Sequence, residues 1–493
     1  MYLLACLHET ASAQPDKLAV VNNGVALSYG RFWRLICACR DHLASRVPKE
    51  GLALIRASDR LEGWILVNAL RSLGLDTAVI VAADQLPLLE SLGPAVFITL
   101  ATEPAGFAPK RVPHLRLLAP STLPIDETQP LPPMPQPEHA GAHVLLTSGT
   151  TGRYKAVKSE GSGTESDVAR RRASYVDLGE DFRQLGPDSV VSVLDLGLWT
   201  AAGNSWPRFA WCSGGAALFQ ATSQLAGAFD WPALTHSVVT PWHLSKLAAA
   251  PEGALRHRPD VQLVVVSGAV TPWLARQTMQ RLSSRMLINL SSTEAGGWAR
   301  TAVRSEEDLR WYRLDPKATV EVIDDAGNPL PDGELGRVRV KLRPNRATGY
   351  LADPENTATF FGDGWFYPGD LGVLDGKGRL ALHGRTTDVI NIGGDKHAVG
   401  PWEAAIQEKL GCEGVCILAG HGPGEAEQLH VFIESSRTIT RKALDDALRS
   451  TLRGFPEAQA HRIDALPRTE LGKLRRVELA RRLFEAGAPA AES

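Results

Sequence analysis

The sequence predicts an α/β fold of stacked, largely parallel layers followed by a small α+β unit. Three observations carry that prediction. Strand-like apolar runs alternate with helix-spaced segments over residues 29–81, and the same alternation resumes over residues 190–282. From residue 401 the order changes to helix, strand, strand, helix. Strands alternating with helices need crossover connections, which favour parallel pairing.

Phe32, Leu35, Ile36, Cys39 and Leu43 recur at helical spacing and predict a helix over 29–43. Residues 52–55 read as a strand, 62–73 as a helix and 77–81 as another strand. Residues 120–137 hold seven prolines and almost no periodic apolar pattern, which marks an extended loop. The short apolar run 142–146 reads as a buried strand. Further on, 190–194, 237–239 and 263–266 are strand-like, with helices predicted over 242–249 and 272–282. Residues 319–324 and 336–342 form hairpin material around the turn Asp324-Asp325-Ala326-Gly327. The last unit has helices over 402–410 and 441–452 and strands over 415–418 and 429–433. A hinge near 384–388 would separate it from the larger part, and no internal repeat recurs.

Composition narrows the function. Over 493 residues, Lys plus Arg is 53 against Asp plus Glu at 55, a formal net charge of −2. That balance gives no electrostatic footprint for nucleic acid or anionic membrane, and Arg170–Arg172 reads as a solvated face. The apolar stretch 190–219 is interrupted by Asp195, Asn204, Pro207 and Arg208, which a lipid-facing helix would not accept. The opening Met1–Cys6 resembles a lipoprotein cleavage site but lacks a charged n-region, so no export signal is expected. Six cysteines are too few for a disulfide scaffold in a chain this long. Cys37-x-Cys39 and Cys412-x3-Cys416 read as small buried hydrophobes rather than metal ligands, so a reducing cytoplasm is expected.

The most informative stretch is Thr147-Ser148-Gly149-Thr150-Thr151-Gly152-Arg153-Tyr154-Lys155, directly after a predicted strand. Glycines and small hydroxyl residues let a backbone approach an anion closely, and Lys155 adds a point charge. A Walker A loop would need Gly-Lys-Ser/Thr after its spacer, which this stretch lacks. An ordinary Gly/Ser/Thr turn is the bland reading of this stretch alone.

The stretch resembles the phosphate loop of the adenylate-forming superfamily: acyl-CoA synthetases, aryl-CoA ligases and peptide-synthetase adenylation domains. The resemblance recurs in order along most of the chain. It is carried by Ser291-Ser292-Thr293-Glu294, by Gly349-Tyr350 with Thr357, and by Gly364-Trp365-Phe366-x-x-Gly369-Asp370-Leu371-Gly372. It continues through Gly384-Arg385-x-x-Asp388-Val389-Ile390 with Gly393-Gly394 and ends on Leu466-Pro467-Arg468-Thr469 and Gly472-Lys473-x-x-Arg476. The resemblance implies a large N-terminal domain over 1–384, built of stacked α/β subdomains plus a β-barrel-like part. A hinge at 385–388 and a small mobile α+β C-terminal domain over 389–493 would follow.

The implied chemistry is ATP- and Mg²⁺-dependent activation of a small carboxylic acid as acyl-AMP, then transfer to a thiol. The simplest acceptor is CoA, giving an acyl- or aryl-CoA ligase. A stand-alone enzyme loading the phosphopantetheine of an acyl carrier protein is the mechanistic alternative, and a non-catalytic nucleotide-binding relative is the alternative of another class. By the same resemblance Thr147, Ser148, Gly149, Thr150, Thr151, Gly152 and Lys155 would cradle the β- and γ-phosphates. Thr293 would contact the α-phosphate and Glu294 would help hold Mg²⁺. Leu290, Ser291 and Ser292 would border the adenine site, and Asp370 would bind the ribose hydroxyls with Arg385 nearby. Lys473 would reach the α-phosphate and carboxylate oxygens. Trp199, Thr200, Asn204, Gly268, Ala269, Gly296 and Gly297 are the acyl-pocket candidates, and Gly393-Gly394 would line the thiol tunnel once the small domain rotates. A monomer or homodimer is expected.

Several positions depart from the family pattern. Tyr154 replaces a usual Pro, Leu290 the aromatic that stacks on adenine, Ser291 a Gly, Pro368 a Thr, Thr387 the hinge Asp or Lys, and Asn391 a Lys. Losing the adenine platform would cost roughly 1–3 kcal/mol. The substitutions leave Glu294, Asp370, Arg385 and Lys473 in place, which predicts a divergent but active enzyme. The Trp199–Gly203 segment lacks the acid that would pair a substrate α-ammonium, which argues against an α-amino acid. His143, His236, His243 and His383 show no partner spacing and read as structural or surface residues.

Overall fold

The computed structural model describes residues 2–104, 106–135, 141–148, 154–159, 183–220, 222–251, 253–344, 346–386, 388–392, 395–421, 427–455, 458–469 and 472–485. Two sheets dominate. In the six-stranded sheet the order is His114–Leu117, Val96–Leu100, Leu52–Arg56, Asp76–Val79, His143–Ser148 and Tyr154–Ser159. Its pairs are parallel until the last, where the 143–148 and 154–159 strands run antiparallel.

The second sheet is parallel through Met286–Ser292, Gln262–Val265, His236–Val239, Val190–Ser192, Ala216–Phe219 and Leu18–Asn22. Beyond 286–292 it continues antiparallel through Gly296–Val303, Tyr312–Leu314, Arg379–Arg385, Asp370–Leu374 and Gly336–Lys341. The predicted pair over 319–324 and 336–342 is here the antiparallel pair Val320–Ile323 with Gly336–Lys341. Where the resemblance implied a β-barrel-like part, these strands run as an antiparallel continuation of the larger sheet.

Helices fill the space between the sheets. Tyr2–Ala13, Tyr29–Leu43, Arg60–Ser72 and Ala201–Cys212 contribute to one apolar cluster that also takes Ile55, Val79 and Ile98 from one sheet and Val191, Phe219 and Val238 from the other. Such helices must be apolar on nearly every side, and Arg60–Ser72 is buried from Leu61 through Ser72. The outer face of the larger sheet packs Pro241–Ala248 and Pro272–Arg281. Asp59, Thr200, Thr240 and Thr271 each accept a backbone hydrogen bond at the start of a helix, so these starts are set by local chemistry.

Residues 389–485 carry their own sheets, Val389–Ile392 with Asp395–Ala398 and Gly414–His421 with Glu427–Glu434 and Ala458–Ile463. Helices Gly400–Leu410 and Arg441–Thr451 close a separate apolar cluster around Ile406, Ile417 and Val431. Arg476, opening the last helix, donates to both oxygens of Glu403 at 2.6 and 2.7 Å and lies 3.5 Å from Asp388. Of the six cysteines, all free, only Cys212 is not fully buried, as expected of small hydrophobes. Among the described residues no helix is long and apolar enough to cross a membrane.

The main core depends on stacked aromatics. Trp211 is fully buried, its ring 4.9 Å from Trp64 in an edge-on contact, and its indole N–H donates to the Ala19 carbonyl at 2.8 Å. Trp211→Ala is expected to lower unfolding stability by about 3–5 kcal/mol, read from the midpoint of chemical denaturation.

Candidate active site

Three hairpins and one turn deliver the candidate residues. The 143–148 and 154–159 strands place Thr147 opposite Lys155 and Ser148 opposite Tyr154. Of the predicted phosphate loop, Gly149, Thr150, Thr151 and Gly152 lie outside the described residues, as do Thr387 and the thiol-tunnel candidates Gly393 and Gly394. Lys155 is not an exposed loop cation. It is 4% exposed, and its ammonium sits 3.5 Å from the Phe360 ring centroid and 4.9 Å from that of Tyr350. Burial pulls its pKa below the ordinary lysine range, while Glu294 and Asp353 hold it up.

The second hairpin joins Met286–Ser292 to Gly296–Val303, and its tip carries Thr293 and Glu294. The Ser292 hydroxyl accepts from the Ala295 N–H at 2.9 Å, and the register shifts between Leu290 and Ser291, where the sequence departs from a glycine. Glu294 is 4% exposed. Its Oε1 accepts from the Tyr350 hydroxyl at 2.7 Å, while Oε2 has no hydrogen bond among the described residues. Tyr350 is itself buried, and burial first, then Glu294, raise its pKa so far that it remains a donor. The Leu351 N–H bonds to the Ala156 carbonyl, which brings Tyr350 over Lys155.

Asp370 and Arg385 face each other across the third hairpin, with Nε 3.2 Å from Oδ1. Burial raises the Asp370 pKa, against the pull of Arg385 and Lys473. Lys473 arrives from the C-terminal unit on a tight turn: Thr469 N–H donates to the Lys473 carbonyl at 2.8 Å, and Gly472 N–H to the Thr469 carbonyl at 2.8 Å. Gly472 adopts φ +77°, and a Cβ there would lie 2.3 Å from Trp242 Cβ, so only glycine fits. Burial, then the Arg385 charge, pull the Lys473 pKa down to about 8, with Glu294 and Asp370 opposing and Lys155 adding to the repulsion. Lys155, Glu294, Asp370, Arg385 and Lys473 thus share one field.

The acyl-pocket candidates divide. Gly268 and Ala269 are exposed after the 262–265 strand, and Gly296 (φ +76°) lies under the Arg346 guanidinium. Gly297 receives a hydrogen bond on its carbonyl from Arg343 at 3.4 Å. Trp199 lies flat on Gly197, its indole N–H buried without a partner among the described residues. Thr200 is engaged as a helix cap, donating to the Gly197 carbonyl and accepting from Gly203 N–H, both at 2.9 Å. Asn204 is 2% exposed and accepts from Arg208 at 3.2 Å. Both side chains are engaged locally, Thr200 at the start of the helix and Asn204 within it.

Sequence reasoning gave no role to Tyr350, Phe360 or Asp353, although Gly349-Tyr350 lay in a quoted motif. It also missed a pair that links distant segments: His243 Nε2 meets Asp195 Oδ1 at 2.7 Å, while His243 Nδ1 accepts from Thr240 N–H. His143 and His236 are buried on backbone carbonyls, with burial pulling their pKa to about 3 and about 4, so both serve the fold.

The AMP-binding enzyme family model matches residues 7–351. The chain is 25% identical to novobiocin biosynthesis protein H of Streptomyces niveus over 95% of its own length and 81% of that protein. It is 25% identical to 4-hydroxybutyrate–CoA ligase 2 of Metallosphaera sedula, over 71% of its own length and 65% of that protein. The fold matches the crystal structure of ATP-bound MatB from Rhodopseudomonas palustris, with a TM-score of 0.76 at 20% identity over 98% of this chain and 99% of that one.

The shared field has a measurable consequence. Lys473, followed by NMR of ¹³C-dimethylated lysines, is expected to titrate at about 8, and Glu294→Gln to lower that value further by removing a charge that favours the ammonium.

Proposed function

Because the chain belongs to the AMP-binding enzyme family and is an adenylate-forming enzyme, we propose that it joins a small carboxylic acid to the thiol of CoA through an acyl-AMP intermediate. One observation carries this reading: motif residues from position 155 to position 473 converge on a single field of three cations and two carboxylates. Such a field suits a reaction that must bring a carboxylate against a triphosphate.

In the first step a carboxylate oxygen attacks the α-phosphorus of ATP, and the bond from that phosphorus to the pyrophosphate oxygen breaks. Lys473 stabilises charge on the α-phosphate and the attacking carboxylate. Arg385 and Lys155 keep the surroundings cationic, with Thr147 and Ser148 at the mouth of the phosphate loop. Asp370 accepts from the ribose hydroxyls, and its pairing with Arg385 sets the carboxylate's direction. Thr293 stands beside Glu294 at the hairpin tip to contact the α-phosphate. The Glu294 oxygen left unbonded by Tyr350 is a hard donor that fits Mg²⁺, which when bound neutralises phosphate charge.

In the second step the thiol sulfur attacks the acyl carbon, the acyl–oxygen bond to AMP breaks, and the thiol proton passes to solvent. We place the hinge at 385–388: rotation there withdraws Lys473 and brings the 393–394 glycines to the thiol. Arg476, whose Nε lies 3.5 Å from Asp388 Oδ1, would brace that hinge.

Lys473→Ala is expected to abolish acid-dependent ATP–pyrophosphate exchange while sparing thioester formation from supplied acyl-adenylate; equal loss of both steps would contradict the role. Consumption of free CoA by the active acid separates a CoA ligase from a carrier-protein loader. The pH profile follows from Lys473. Its ammonium is present below about 8 and lost above it, so kcat/KM for ATP in the exchange reaction is expected to fall as pH rises through about 8. Lys473→Arg should remove that fall.

A further inference from the structure

Glu434 ends the strand Glu427–Glu434 and is 3% exposed. A carboxylate this deeply buried must be paired. Its Oε1 accepts from Lys246 Nζ at 2.8 Å, and its Oε2 from Arg468 Nη2 at 3.1 Å and from the Leu466 backbone N–H at 3.4 Å. The two bases come from the two different units of the chain. Lys246 stands on the helix Pro241–Ala248, packed on the larger sheet, whereas Arg468 lies in the turn that leads to Lys473. Arg468 also donates through Nη1 to the Gly472 carbonyl at 3.1 Å, one residue before Lys473. A continuous polar strut therefore runs from Lys246 through Glu434 and Arg468 to the backbone of the lysine turn.

The same helix touches that turn a second time, where Trp242 closes over Gly472. Neighbouring contacts cross the same boundary: the Ser245 hydroxyl donates to the Glu413 carbonyl at 3.0 Å, and the Thr271 hydroxyl to Gln407 Oε1 at 2.9 Å. Burial opposes ionisation of Glu434, yet Lys246 and Arg468 hold its pKa below the usual carboxylate range.

The strut is asymmetric. Arg468 and the Leu466 amide belong to the same unit as Glu434, so separating the units leaves the carboxylate bonded. Lys246, whose side chain is 41% exposed, returns to water. A fully buried pair would leave an orphaned charge on opening. This one releases cheaply.

We propose that Glu434 is a positioning residue for Lys473, and that its ion pair with Lys246 is a releasable clasp holding the small unit in the arrangement that seats Lys473. The clasp rests on the two-step reading above, because it serves only the step in which Lys473 acts. It favours adenylation and must open before the thiol is admitted.

The test compares wild type, Lys246→Met, Lys246→Arg and Glu434→Gln. Each is assayed for ATP–pyrophosphate exchange, for thioester formation from supplied acyl-adenylate, and for amide hydrogen exchange over residues 240–248 and 472–476. Lys246→Met is expected to lower pyrophosphate exchange by about fivefold, the scale of a half-exposed ion pair, with the thioester step unchanged or faster. Lys246→Arg should restore the loss. Glu434→Gln should lose more, since it also frees Arg468. Amide exchange in both segments should quicken in Lys246→Met. An equal fall in both half-reactions, or failure of the arginine to restore the first, would overturn the proposal. Should wild type exchange pyrophosphate with no acid, the functional reading fails by itself; unchanged amide protection in Lys246→Met would then still reject the clasp.

Discussion

The candidate site depends on one electrostatic constraint: Lys155, Arg385 and Lys473 are held close together inside the protein. Like charges in a poorly solvated site repel, and the cost is visible on Lys473, pulled to about 8 by burial and by Arg385. Glu294 and Asp370 offset part of that cost. They leave an excess of positive charge, which on the proposed reading an incoming triphosphate neutralises. The two carboxylates are themselves held in place, Glu294 by Tyr350 and Asp370 by Arg385.

The fold meets the constraint by building the site from strand ends and hairpin tips rather than from long loops. Lys155 enters from the edge of the six-stranded sheet, Glu294 from the turn where the larger sheet changes from parallel to antiparallel, and Asp370 and Arg385 from adjacent strands beyond it. Rigid backbone at these points keeps cations from drifting apart to relieve their repulsion. Lys473 alone arrives from the separate C-terminal unit, on a turn that requires glycine at 472. On the proposed two-step reading, the one group that withdraws between half-reactions is thereby the one mounted on the separate unit.

Much of this was legible in the sequence where the signal is local. The 29–43 helix matches its apolar spacing residue for residue, and the ordered motifs name Glu294, Asp370, Arg385 and Lys473. The helix Ala201–Cys212 was not legible, because Pro207 lies inside it and argues for a break, while the Thr200 cap and the surrounding core carry it through. Strand order was equally hidden: Leu18–Asn22 pairs with Ala216–Phe219 far along the chain, a partnership that no periodicity records. The same holds for side chains. The Tyr350 bond to Glu294, the His243 pair with Asp195 and the Lys246 pair with Glu434 span large separations with no spacing signature. Thr200 reads as a pocket hydroxyl until its capping bond is seen.

The way the two units meet bears on how they can separate. Each closes its own apolar core, around Trp64 and Trp211 in the large part and around Ile406, Ile417 and Val431 in the small one. Beside the packing of Trp242 on Gly472, the described contacts between them include hydroxyl bonds and ion pairs: Ser245 with Glu413, Thr271 with Gln407, Arg276 with Glu408, Arg475 with Asp84 at 3.5 Å, and Lys246 with Glu434. Water can replace each of these partners as the units part, whereas an apolar seam would expose surface at about 25 cal/mol per Å². Polar contacts also fix orientation, since each needs its own partner in register. On the proposed two-step reading, an interface built this way is specific enough to seat Lys473 against the repulsion of Arg385 and Lys155, and weak enough to release it once that repulsion returns with the departure of pyrophosphate.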